Sequence, residues 1–171
     1  MAKIWMPREE FVNTLPRALH SSSVLLFDPE GRLLLLHDSY SEGRAARGWP
    51  QRWWAPGGIL QDGEAPVDGA RLETLEETGL RLDGELFPVG VDFLSPAEGW
   101  PPVSSYFFST GPLTWEQVES ITLSEEHDDH QFHQLADWEG KVSATMQARL
   151  TALVTAFAYE SQIVLHCGRP M

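Results

Sequence analysis

The chain has 171 residues, 42% of them hydrophobic and seven of them Trp, which is enough apolar material for one continuous core. Its formal charge of −13 opposes a nucleic-acid polymer or an anionic membrane surface as partner, and leaves open a small phosphorylated substrate screened by cations. No stretch approaches a bilayer span, the N-terminus lacks an apolar run of signal-peptide length, and Cys167 stands alone, so the expectation is a soluble cytoplasmic protein with a single domain over 1–171.

In chain order, Pro7 followed by Arg8, Glu9, Glu10, Phe11, Val12 and Leu15 predicts an N-terminal helix over 7–15, ended by Pro16. The runs SSSVLLFD and RLLLLHD, joined by Pro-Glu-Gly, predict a hairpin buried on at least one face. Residues 39–51 have no sustained periodicity and form a loop. RWWAPGGIL is a short strand broken at Pro56-Gly57-Gly58, and Pro66 opens a helix that Gly79 closes in a left-handed turn. LFPVGVDFLS and VSSYFFST alternate as strands, and Thr114-x-x-Gln117 marks a capping box. HQFHQLA is a further strand, Met146, Leu150, Leu153, Val154 and Phe157 place a C-terminal helix at about 145–160, and IVLH is a final strand. Strands and helices mix without βαβ alternation, which predicts an α+β layered fold with a mixed sheet between helices.

The helix from Pro66 carries the densest charge. Glu73, Glu76 and Glu77 fall within an arc of about 100°, while Val67, Ala70, Thr74 and Thr78 make up a face suited to burial. Exposed carboxylates at this spacing repel by roughly 0.2–0.5 kcal/mol per pair. A solvated acidic face is one reading of them; the other is a site for a hard divalent cation that takes oxygen ligands.

The spacing favours the second reading. Gly58, five residues, Glu64, eight residues, Glu73, two residues, then Glu76-Glu77-Thr78-Gly79-Leu80 resembles the Nudix box, here spanning 58–80. With Gly and Glu each at about 7% of residues, such a set of matches arises by chance on the order of 10⁻⁸ per starting position. MPREEFVNTLPR, the predicted hairpin, RWWAPGG and IVLHCGRP extend the likeness to a MutT-like subgroup over most of the chain. The resemblance implies an α/β/α sandwich and Mg²⁺- or Mn²⁺-dependent hydrolysis of a nucleoside diphosphate linked to another group. By the same match, Glu73, Glu76 and Glu77 are the metal-ligand candidates, joined by the Gly58 carbonyl, with Glu64 a more distant support. Many relatives dimerise, so a homodimer is part of the expectation.

Two positions depart from the family pattern, the first being Leu72, which stands where the family has Arg. Arg71 does not replace it, because it projects about 160° from Glu73. Thr74 also departs, at a position where the family prefers a larger apolar residue. The loss at Leu72 keeps alive a rival reading, a Nudix-fold nucleotide-binding or sensor protein with weakened turnover.

In this superfamily a water-activating base often lies outside the box, and LSEEHDDHQFH offers Glu125 and Glu126, with Glu126 preferred. The His127, His130 and His133 cluster with Asp128 and Asp129 also admits a zinc reading, weakened by the absence of Cys and by strand alternation. Gly57 and Gly58 let backbone approach metal or phosphate closely. Tyr40, Trp49, Trp53, Trp54 and Trp100 are stacking candidates, Trp54 foremost, and Arg44, Arg47 and Arg52 are phosphate-contact candidates, Arg52 foremost.

Overall fold

The computed structural model describes residues 5–40, 52–97 and 99–171. The elements are α1 (Arg8–Asn13), β1 (Leu19–Leu25), β2 (Leu33–Asp38), β3 (Trp53–Trp54), β4 (Gly57–Ile59), α2 (Pro66–Thr78), β5 (Phe87–Leu94) and β6 (Val103–Ser109). They continue with α3 (Trp115–Glu119), β7 (His127–His133), a 3-10 turn (Leu135–Trp138), α4 (Ala144–Ala158), β8 (Ile163–His166) and β9 (Arg169–Pro170). A six-stranded sheet has the order β4-β1-β6-β5-β8-β9, and a three-stranded sheet the order β3-β2-β7. The larger sheet is mixed, since β1 runs parallel to β6 and β5 parallel to β8, while the other pairs are antiparallel. No helix among the described residues is long and apolar enough to cross a membrane.

Period-2 alternation divides the apolar runs between two cores. Leu25, Phe27, Leu33 and Leu35 pack with Met146, Leu150 and Leu153 of α4. Their neighbours Val24, Leu26, Leu34 and Leu36 point the other way and pack with Ala70 of α2 and with Leu80, Leu82 and Leu86. Burial on both faces explains why VLLF and LLLL are unbroken apolar stretches instead of alternating ones.

The helix limits follow local chemistry. Pro66 occupies the first turn of α2, where its missing N–H costs nothing, and Gly79 takes the left-handed conformation at φ 71° and donates to the Leu75 carbonyl. Thr114 and Gln117 form both reciprocal bonds of the capping box at α3. Ser143 caps α4 by accepting from the Met146 N–H.

Four expectations change. The hairpin is only a turn: Asp28 accepts from the N–H groups of Glu30 and Arg32 and pairs with the Arg32 guanidinium, and Phe27 bridges Leu33, but β1 and β2 then part into different sheets. Each strand finds distant partners, β6 for β1 and β7 for β2, which a local pattern does not encode. RWWAPGGIL becomes two strands in two sheets, because Pro56 lies between β3 and β4. The strand expected at HQFHQLA starts earlier, at His127, and ends at His133, after which the chain turns so that Trp138 enters the core. Finally, α1 is shorter than 7–15, with Pro7 as its N-cap, and buries none of its residues, so Phe11, Val12 and Leu15 stay exposed.

Candidate active site

The carboxylate face of α2 looks across a cleft of about 550 Å³ toward the loop before β7. Gly57, Gly58, Ile59, Glu73, Glu76, Glu77, Ser124, Glu125 and Glu126 line it. Two backbone bonds set the depth of the loop against the helix: the Thr122 N–H donates to the Thr78 carbonyl at 2.9 Å, and the Ser124 N–H to the Glu77 carbonyl at 3.2 Å. The face expected to be buried is buried, with Ala70, Thr74 and Thr78 fully enclosed. The Thr74 hydroxyl donates to the Ala70 carbonyl at 2.8 Å, which satisfies the polar atom and explains how Thr serves at an apolar position.

The three helix carboxylates have different surroundings. Glu76 is exposed, Glu73 is half-buried, and Glu77 is 7% exposed. Glu77 Oε2 accepts from the Gly57 N–H at 2.8 Å. Burial pushes the Glu77 carboxyl up to about 8; the Gly57 bond opposes this, and the charges of Glu73, Glu126 and Glu76 add to it. Glu73 is also raised, first by burial and then by Glu76, Glu126 and Glu64. Glu126 therefore belongs electrostatically to the same cluster as the helix carboxylates.

The two glycines are required by contact. Gly57 has φ 151°, and a Cβ there would collide with the Ser22 carbonyl and the Ser23 hydroxyl. At Gly58 a Cβ would collide with the Glu73 carboxylate. Glu64 lies outside the lining; it accepts from the Gln61 N–H at 2.9 Å and shapes the turn that leads into α2.

Among the described residues no group of three or more His, Cys, Asp or Glu side chains is disposed to hold a metal ion as it stands. The chemistry of the donor set nevertheless suits a hard cation: it is all oxygen, it is concentrated in one cleft, and no Arg or Lys among the described residues lines that cleft.

The other sequence candidates are dispersed. Trp53 is a core residue, 4.8 Å from the His37 ring and 5.3 Å from Trp138 between centroids. Trp54 is half-buried, with the Arg52 guanidinium 4.9 Å and the Arg149 guanidinium 5.7 Å from its ring centre, and neither Trp54 nor Arg52 lines the carboxylate cleft. Tyr40 and Trp100 are exposed away from it, while Trp49, Arg44 and Arg47 lie outside the described residues. Arg71 donates to the Gly84 carbonyl at 2.7 Å, away from the carboxylates, and Leu72 is 37% exposed.

The histidines do not converge on a zinc site. His133 bonds Gln131 and meets the edge of Trp138, Asp128 pairs with His37, and His127 faces Glu77. Sequence reasoning missed the buried ion pair of Arg149 and Asp92 at 2.7 Å, because Arg149 sits on the apolar face of α4 and no local signal shows that its charge is met from β5.

The NUDIX domain family matches residues 16–153. A MutT protein from Methanosarcina mazei Go1 has a similar structure, with TM-score 0.66 and 20% identity, covering 86% of this chain and 98% of that one. An Ap4A hydrolase from C. elegans, solved as a binary complex, has TM-score 0.63 and 22% identity, with coverages of 84% and 97%. The NUDIX domain of Shewanella oneidensis NrtR, solved with ADP ribose, has TM-score 0.64 and 13% identity, with coverages of 90% and 99%. At these identities the structural likeness speaks for the fold, and the family match covers most of the chain. With Gly58, Glu73, Glu76 and Glu77 of the box brought to one cleft, and with the family matching residues 16–153, the chain belongs to the NUDIX domain family.

Proposed function

We propose that this protein hydrolyses a phosphoanhydride bond in a nucleoside diphosphate linked to another group, using Mg²⁺ or Mn²⁺. The observation that carries the reading is the gathering of Glu73, Glu76, Glu77 and Glu126 around one cleft, with burial and mutual repulsion raising Glu73 and Glu77. Glu73, Glu76, Glu77 and the Gly58 carbonyl would hold the cation. Bound there, it would neutralise the diphosphate and make a water more acidic.

The chain's own groups supply the rest. Gly57 and Gly58, whose backbone lines the cleft, would receive phosphate oxygens there. Glu126, exposed on the loop facing the helix, is the base that takes a proton from the attacking water. Arg52 and Trp54, stacked on one another at the end of β3, would bind the substrate outside the carboxylate cleft. The structural relatives were solved as an Ap4A hydrolase and as a domain with ADP ribose, so dinucleoside polyphosphates and ADP-ribose head the substrate panel. The lone Cys167 supports a reducing, cytoplasmic setting, and the family resemblance supports a homodimer.

Mononucleotide release from such a panel, run with Mg²⁺, with Mn²⁺ and with chelator, tests the reading. Metal-dependent release is expected, and release that chelator leaves unchanged contradicts it. Leu72 favours the second reading, binding with weakened turnover, because neither it nor any described Arg or Lys in the lining offsets the carboxylates. Nucleotide binding without product under every metal condition would select that reading.

A further inference from the structure

One side chain against the cleft has no part in the proposed chemistry. His127 opens β7, and its Nε2 lies 3.7 Å from Glu77 Oε1, with only 11% and 9% of the two side chains exposed. Its other ring nitrogen, Nδ1, is buried without a hydrogen-bond partner. A buried N–H without an acceptor is rarer in proteins than an acceptor without a donor, so the proton of the neutral ring belongs on Nε2, facing Glu77. On the far side of the same carboxylate, Glu77 Oε2 accepts from the Gly57 N–H at 2.8 Å. The Glu77 carboxylate is thus bracketed by β4 on one oxygen and β7 on the other. The backbone bonds from Thr122 and Ser124 to the end of α2 hold the loop that leads into His127 against the helix that carries Glu77.

At 3.7 Å the contact is longer than a hydrogen bond, as contacts in empty catalytic sites often are before they tighten. Position 72 offers no alternative, because Leu72 brings neither charge nor donor and, among the described residues, no Arg or Lys lines the cleft. We infer that His127 is a positioning residue: its Nε2–H steers Glu77 into the orientation in which it binds a divalent cation, a restraint from β7 that compensates for the cation missing at position 72. This rests on the metal-site reading proposed above.

Mn²⁺ binding to the purified full-length protein, followed by electron paramagnetic resonance, tests it. His127→Leu should weaken binding about 10-fold or more, the usual effect of removing a group that orients a ligand, while His127→Gln, which keeps a donor at similar reach, should stay within about 3-fold. Mn²⁺ affinity unchanged in His127→Leu overturns the inference, and equal loss in both variants does so too by assigning the effect to packing. Glu77→Gln separates the two levels: its loss of Mn²⁺ with His127→Leu unaffected removes only the role of His127, whereas Mn²⁺ affinity retained in Glu77→Gln removes the metal site and this inference together. The unmodified protein gives a second readout that no folding defect can mask. Nitrogen chemical shifts of His127 with Mg²⁺ bound, where Glu77 is a carboxylate, should show the Nε2–H tautomer, and the Nδ1–H tautomer would overturn the assignment.

Discussion

The backbone N–H of Gly57 donates to Glu77 Oε2 at 2.8 Å, joining the start of β4 to the last turn of α2 inside the carboxylate cleft. The neighbouring glycines serve different ends, and substitution should separate them. Gly57→Ala meets backbone at Ser22 and a positive φ, so it should cost roughly 1–3 kcal/mol of stability, read by urea unfolding. Gly58→Ala meets only the end of the Glu73 side chain, so the fold should survive with a loss below about 1 kcal/mol while turnover falls. Equal stability losses would show that Gly58 is a structural glycine.

Glu77 predicts a pH dependence for the chelator-treated protein. Its folded value of about 8 lies above the ordinary 4.5, so between those values the folded chain keeps a proton that the unfolded chain releases. The stabilising contribution is complete below about pH 4.5 and is lost as pH rises through about 8. Glu73 acts in the same direction. Unfolding free energy measured from pH 5 to 9 should decline less steeply in Glu77→Gln than in the unmodified chain. Parallel curves would mean that Glu77 is ionised throughout.

Adding a cation to the carboxylate face of α2 should change how much the protein depends on metal. Leu72→Arg places a guanidinium four residues before Glu76, where an exposed pair contributes about 0.3–0.5 kcal/mol. The melting temperature in chelator should rise slightly, and the further gain on adding Mg²⁺ should shrink. If Mg²⁺ shifts the melting temperature of neither protein, the cleft does not bind it. If turnover in Leu72→Arg equals that of the unmodified protein, the absent Arg does not limit catalysis.

The Arg149–Asp92 pair is a test of packing away from the cleft. Asp92 is fully buried and also accepts from the Gly168 N–H, which ties the β8–β9 turn to β5. Arg149→Met leaves that carboxylate uncompensated and should cost about 3–5 kcal/mol, most of it recovered in the double variant with Asp92→Leu. Failure of the double variant to recover would mean that the pair specifies the fold beyond its charge balance.

The box was legible because its chemistry is local. Gly58, Glu73, Glu76, Glu77 and Gly79 lie within one short stretch of chain, and helical geometry alone places the glutamates on one face and Ala70, Thr74 and Thr78 on the other. Even there, the sequence treated the three glutamates alike, and only tertiary packing makes Glu77 buried and Glu76 exposed. The parting of β1 and β2 was hidden because two apolar runs around Pro-Glu-Gly look the same whether they pair with each other or with strands 84 to 100 residues away. His127 appeared only as one of several histidines, since its nearness to Glu77 depends on β7 returning beside β2, a contact across 50 residues. Arg149 was invisible for the same reason.

A divalent-cation-dependent phosphoanhydride hydrolase built on the helix carboxylates should lose its turnover in Glu77→Gln. Glu77→Gln keeps size and the capacity to accept from Gly57, and removes only the charge. Assayed with Mg²⁺ and Mn²⁺ on ADP-ribose, dinucleoside polyphosphates and nucleoside triphosphates, it should fall by about 100-fold or more on every substrate the unmodified protein turns over, with folding intact. Turnover equal to that of the unmodified protein would contradict the account.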